Sequence, residues 1–337
     1  MKMQLNSVKF VVIGGGTGTY SVLTGLKKYS NNITAIVTMA DSGGSAKKER
    51  DEWGLLPSSD IRKSLIALAD VSNQNILLLR RLFQYRYNEG KGLTGMTFGN
   101  LFLVTLTKLL GSQAKAIEKA GEILRIKGRV LPVTLKKIDL VALYEDGSKV
   151  IGEHFIDEPK HDGKLTIKKL YTKPKAVITD ESKKAILESD VLIIGPGGFY
   201  TTILANLVIK GVPEAIKKSR AKKIFILNLM TEYGQTYGFT ASKFIDKLND
   251  YLPIECLDYV LINKTPIPQN ILKRYIKYHT QPVINDFSRK YPFKTISADI
   301  LSHKIIKGEK GDHLKRSFVR HDPNKIAFQC LNMLNLV

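Results

Sequence analysis

Cysteine is nearly absent: Cys256 and Cys330 are the two in 337 residues, too few for a disulfide framework and without metal-ligand spacing. They read as buried thiols in a reducing compartment. No stretch reaches the roughly 18 uninterrupted apolar residues of a membrane helix, and the segment Met1 to Lys9 has neither the apolar core nor the cleavage site of a signal peptide. A cytoplasmic chain with no membrane partner is therefore expected. The sequence also lacks a Cys/His cluster, a Gly-x-Ser-x-Gly elbow and a carboxylate pair whose spacing dictates acid–base chemistry. No catalytic residue and no metal ligand is assigned on these grounds. Low-complexity segments and internal repeats are missing as well.

What is present is ordinary for a globular chain, 43% apolar and 25% charged residues, which argues against disorder. The length allows one large α/β domain or one domain carrying a smaller lobe, and the pattern favours the second. Acids are outnumbered: the formal net charge is +21. Clustered base would suit phosphate, nucleic acid or anionic lipid. Here lysines are spread through runs such as Lys47-Lys48, Lys168-Lys169 and Lys217-Lys218, so solvated faces account for them and a nucleic-acid partner is disfavoured.

The first segment reads as strand (Val8 to Ile13), glycine turn (Gly14 to Gly18), helix (Tyr20 to Tyr29) and strand (Ile33 to Met39), the start of a parallel sheet with βαβ crossovers. From Asp60 to Gly128 the apolar spacing predicts amphipathic helices. Residues 129–179 change to short β-prone runs, Val130 to Thr134, Leu140 to Tyr144 and Leu165 to Tyr171, separated by turns, and predict an inserted antiparallel unit. The parallel pattern resumes at Asp190 to Ile194, with a helix from about Thr201 to Ser219 and strands Lys223 to Leu229 and Tyr259 to Ile262. A last helix is expected from Pro323. The main domain thus comprises residues 1–128 and 180–337, and its strand ends should line one edge, where open α/β sheets bind ligands.

At the first strand end, Gly14-Gly15-Gly16-Thr17-Gly18-Thr19 opens a helix. Glycine lets backbone N–H groups approach a phosphate, the helix N-terminus adds partial positive charge, and the threonine hydroxyls can donate. The run is not a GxGxxG, since Thr19 holds the third glycine position, and no Gly-Lys-Ser/Thr follows. It specifies phosphate without specifying NAD or ATP. Gly197 and Gly198, followed by Tyr200 and Thr201, repeat the logic at a second strand end. Asp41, after the second strand, stands where an acid often meets a ribose, though loop capping suits it equally. Asp60 is either an N-cap or a site acid, with Arg62 as a forked donor nearby. Asn100 offers both polarities to a base or sugar. Asn228 and Thr231 form a third polar strand end. Arg320-His321-Asp322-Pro323 reads first as a capped helix start, with its Arg-His pair in reach of an anion.

Taken in order, Gly14 to Gly18, Ile33 to Ser45, Leu56 to Asp70, Leu82 to Arg86, Phe98 to Asn100, Gly195 to Thr202, Asn228 to Thr231 and Arg320 to Pro323 resemble the YvcK/CofD-like family over nearly the whole chain, and most closely its gluconeogenesis factor (YvcK) branch. The resemblance implies an α/β, Rossmann-like fold: a mostly parallel sheet with helices on both faces, plus the small antiparallel insert. It implies binding of a UDP-sugar such as UDP-N-acetylglucosamine, a link to cell-wall precursor supply and cell shape, self-association, and a protein partner in cell-wall precursor synthesis. The diphosphate is expected on Gly15 to Thr19 and on Gly197 to Thr201, with Asp41, Asp60, Arg62, Asn100, Asn228 and Thr231 around it. The CofD branch instead transfers a phospholactyl group from a guanosine diphosphate derivative to a deazaflavin with Mg2+, and an aspartate resembling Asp60 belongs to its active site. Two departures favour binding over catalysis: Ser42 stands where the YvcK pattern usually has a second acid, and Met96-Thr97 where it has His-Ser.

Overall fold

The run Phe-Val-Val-Ile-Gly forms β1 (Phe10–Gly14), buried along its length, in a computed structural model that describes residues 5–90, 92–288, 290–303 and 317–336. Helix α1 (Gly16–Leu26) leads to β2 (Ile33–Val37). Four helices follow: α2 (Gly44–Glu52), α3 (Ser59–Leu68), α4 (Gln74–Gln84) and α5 (Phe98–Leu110), then α6 (Gln113–Ile123) and β3 (Arg129–Pro132). The insert comprises β4 (Asp139–Tyr144), β5 (Lys149–Ile151), the short α7 (Glu153–Asp157) and β6 (Ile167–Lys173). After α8 (Asp180–Leu187) come β7 (Val191–Ile194), a π-helical turn at Phe199–Leu204, α9 (Val212–Lys218) and β8 (Lys222–Ile226). The chain continues through α10 (Ala241–Asn249), β9 (Tyr259–Asn263), α11 (Gln269–Tyr275), β10 (Lys294–Ala298) and α12 (Pro323–Asn332).

Among the described residues the main sheet has seven strands in the order β10-β9-β8-β7-β1-β2-β3, all paired in parallel. The winding reverses at β1, which is flanked by β2 and β7. There the loops leaving neighbouring strands part to opposite faces and open a crevice at the C-terminal edge. Alternation along β1 divides the interior: Phe10 and Val12 join α1, α3 and α12 in one core, while Val11 and Ile13 join the other. That second core also contains Leu140, Ala142, Tyr144, Ile156, Ile167 and Leu170 of the insert. The insert, a three-stranded antiparallel sheet in the order β5-β4-β6, therefore shares its apolar face with the main sheet.

Three expectations change. The run Val130 to Thr134 is not part of the insert: β3 pairs in parallel with β2, Ala35 opposite Val130, and closes one edge of the main sheet. The helix expected from Thr201 to Ser219 is broken, because the π turn and the short Ala205–Leu207 end before Gly211, whose φ of 96° restarts the chain into α9. The first helix begins at Gly16, so the glycine loop is itself the first helical turn.

Helix α1 packs against α12, whose start is capped as the sequence predicted: Asp322 Oδ1 accepts from the N–H groups of Asn324 (2.9 Å) and Lys325 (3.1 Å), with Pro323 in the first turn. The two helices meet at Gly25, where a Cβ would stand 2.0 Å from the carbonyl oxygen of Pro323. Alanine would gain up to about 1 kcal/mol of helix propensity, but the backbone contact cannot yield by a rotamer change. Gly25→Ala is expected to destabilise by about 1–3 kcal/mol, read as a lower urea midpoint.

Candidate functional site

The crevice at the reversal of β1 holds a cavity of about 320 Å³. Its floor is the meeting of two glycine turns. Gly16, Thr17 and Gly18 come from the start of α1, and Gly197, Gly198, Thr201 and Thr202 from the turn after β7. Contact is so close that a Cβ on Gly18 would lie 2.2 Å from the Pro196 carbonyl oxygen. The N-cap of α1 is Gly15, which makes no side-chain capping bond, so its first-turn N–H groups are the kind of orphan donors that anions satisfy. Asn228 Nδ2 donates to the Gly197 carbonyl at 2.8 Å and holds the second turn in place.

One wall is acidic. Asp41 accepts the Gly43 N–H at 3.0 Å, and Asp60, in the first turn of α3, is paired with Lys63 at 3.0 Å. A Cβ on Gly15 would stand 2.3 Å from Asp60 Oδ2, so this carboxylate rests on the glycine turn. Glu153, His154, Asp157 and Glu158 reach the cavity from the insert. The Ser42 N–H points at Glu153 Oε2 (3.4 Å), and Ser42 Oγ accepts the His154 N–H (3.0 Å). Desolvation, then the charges of Asp41, Asp157 and Asp60, raises the Glu153 carboxyl well above its ordinary range. Asp41 is raised by desolvation and then by Asp60, with Lys63 opposing. Like charges in a narrow space favour the protonated form or a cation. Arg62, Lys63, Arg86 and Arg320 bring positive charge to the same cavity. His321 is buried, its Nε2 3.2 Å from the Leu227 carbonyl, and desolvation pushes its pKa down to about 4. It is a neutral imidazole whose ring N–H serves that carbonyl.

Of the residues singled out in the sequence, Gly16, Thr17, Gly18, Asp41, Asp60, Arg62, Gly197, Gly198, Thr201 and Asn228 line the cavity. Five do not. Thr19 is buried, and its Oγ1 accepts the Gly15 N–H at 2.7 Å, so each occupies the other's polar group. Tyr200 lies in the apolar core with its hydroxyl 3.4 Å from the Ile167 carbonyl, because the π turn directs the ring inward. Thr231 exchanges bonds with the Gln281 backbone at 2.7 and 3.0 Å. Asn100 is fully buried behind the cavity, bonded to Arg62, Thr97 and Glu49. The acids and imidazole of the insert were not anticipated. More than a hundred residues separate Glu153 from Ser42, and a five-residue helix carries no periodic signal.

Among the described residues, no three His, Cys, Asp or Glu side chains group so as to hold a metal ion, and no helix is long and apolar enough to cross a membrane.

Residues 10–301 match the family model described as 2-phospho-L-lactate transferase CofD. The chain is similar to the gluconeogenesis factor of Bacillus subtilis strain 168, 36% identical with 97% of this chain and 98% of that one covered. It is likewise similar to a putative gluconeogenesis factor of Thermoanaerobacterium thermosulfurigenes, 37% identical with 98% of both covered. A crystal structure of a UPF0052 family member from Bacillus halodurans superposes with a TM-score of 0.85 at 35% identity, over 96% of this chain and 98% of that one.

Proposed function

The chain belongs to the CofD/YvcK family, and from that premise we propose that it is a regulator that binds a nucleotide sugar of the UDP-N-acetylglucosamine type. The observation that carries this reading is the contact of two glycine turns at the reversal of the sheet, with polar groups converging above them. Two sets of backbone N–H groups and the hydroxyls of Thr17, Thr201 and Thr202 suit a diphosphate. Asp41 and Asp60 suit ribose or sugar hydroxyls, and the guanidinium groups of Arg62 and Arg320 bring positive charge to the same cavity. The regulator works in the cytoplasm, serves cell-wall precursor supply and cell shape, self-associates, and passes the ligand signal to a protein of precursor synthesis.

Calorimetric titration with UDP-N-acetylglucosamine, UDP, GDP and NAD tests the reading. The UDP-sugar is expected to bind most tightly, and Thr17→Ala to weaken it by about 1 kcal/mol, roughly fivefold. Steady turnover of the bound UDP-sugar would count against a binding role.

The acidic wall favours a second reading, a phospholactate-type transferase. Magnesium needs only one or two protein carboxylates when phosphates supply the rest, and Asp41 and Asp60 are the residues that would hold it. The ion would screen the diphosphate charge, while this chain's glycine turns would orient the nucleotide. Preference for GDP with magnesium, and product from a deazaflavin acceptor, would select it.

A further inference from the structure

Behind the cavity runs a buried chain of hydrogen bonds that begins at Glu49 and ends at Arg62. Glu49 and Asn100 are both fully buried. One Glu49 oxygen accepts the Ser58 N–H at 2.8 Å and the other accepts from Asn100 Nδ2. Asn100 Oδ1 in turn accepts from Thr97 Oγ1 at 2.7 Å and from Arg62 Nε at 2.6 Å. Arg62 Nη1 donates to the Phe83 carbonyl at 3.2 Å, and the same side chain lines the cavity.

A primary amide has a donor end and an acceptor end of nearly the same shape. Turned over, Asn100 would set its N–H groups against the Arg62 Nε–H and its oxygen against the Glu49 carboxylate. Two acceptors face the Asn100 amide nitrogen, Ser59 Oγ at 3.4 Å and the nearer Glu49 carboxylate; Glu49 is the charged one, and it is held in turn by the N–H of Ser58 at the N-cap of α3. We propose that Glu49 acts through the Asn100 amide as the positioning residue for Arg62, so that the presentation of this guanidinium to an anionic ligand depends on a side chain that never touches the ligand. Burial, opposed by bonds from Ser58 and Asn100 and assisted by the charge of Asp41, pushes the Glu49 carboxyl up to about 7. At pH 8 it is mostly ionised and accepts both N–H groups. A glutamine there has one acceptor for two donors.

The affinity arm of the test rests on the function proposed above; a second arm needs no ligand. UDP-N-acetylglucosamine is titrated at pH 8 into the wild type, Glu49→Gln, Arg62→Ala and the double variant. Glu49→Gln is expected to bind roughly tenfold more weakly, and the double variant no more weakly than Arg62→Ala alone, the non-additivity of residues acting as a unit. Wild-type affinity in Glu49→Gln, or losses that multiply, would overturn the proposal. In the ligand-free arm, the Arg62 Nε–H resonance, assigned by its disappearance in Arg62→Ala, should move in Glu49→Gln. An unmoved resonance in a folded variant would overturn it. If the wild type binds no UDP-sugar, the proposed function fails, and this resonance alone decides the relay.

Discussion

Gly18→Ala is expected to abolish nucleotide-sugar binding, with a loss of at least roughly a hundredfold, about 2.7 kcal/mol. The added Cβ would meet the Pro196 carbonyl oxygen at 2.2 Å, its carbon at 2.5 Å and the Gly197 nitrogen at 3.0 Å. All three are backbone atoms, so no rotamer change relieves the clash, and the two glycine turns must move apart. Both turns line the cavity, and a diphosphate that spans them would lose one or the other. The strands beneath, β1 and β7, keep their register and their core side chains, so a cooperative unfolding transition should remain. Calorimetric titration with UDP-N-acetylglucosamine measures the loss, with unfolding by urea as the control. Retained affinity would mean that the ligand does not bridge the turns.

Glu49 should make the fold less stable as pH rises. Its carboxyl lies at about 7 in the folded chain against an ordinary 4.5, chiefly through burial. Between those values the native state holds a proton that the unfolded chain releases, so stability declines with pH. The contribution is fully present below the unfolded pKa and is lost as pH rises through the folded one, by about 2 kcal/mol between pH 5 and pH 8. Asp41 and Glu153 are shifted in the same direction, whereas His321, lowered to about 4, contributes with the opposite sign, so the slope of the whole protein is a sum over several groups. Comparing Glu49→Gln with the wild type isolates one group. Urea unfolding at both pH values should show the variant gaining on the wild type as pH rises, and a constant difference would contradict the assigned burial.

The sheet was legible where its strands are central. β1, β7, β8 and β9 are mostly apolar runs with a glycine or asparagine at the strand end or within two residues of it, as strands covered on both faces must be. The two edges were not. β3 alternates between exposed and buried positions, so Val130 to Thr134 resembled the half-covered strands of the insert that follows. β10, Lys-Thr-Ile-Ser-Ala, is largely polar and only partly buried and gave no apolar signal. In the site, strand-end glycines and acids marked the cavity because backbone geometry alone places them there. Polar residues beside them divided according to what their own turn consumes. Thr17 and Thr19 look equivalent in sequence, yet Thr19 is taken up by the Gly15 N–H. Asn100 carried the right chemistry, but the bonds from Glu49 and Arg62 that occupy it come from distant segments. The insert's contribution needed the tertiary fold, since the Ser42 contacts with Glu153 and His154 bridge two sheets.

A crystal structure of the protein with UDP-N-acetylglucosamine tests most directly whether the two glycine turns hold the ligand. The diphosphate should be seated between Gly16–Gly18 and Gly197–Thr201, with Asp41, Asp60 and Arg62 around the nucleoside or sugar. A ligand bound elsewhere, or a cavity that takes GDP with magnesium and refuses the UDP-sugar, would contradict that placement.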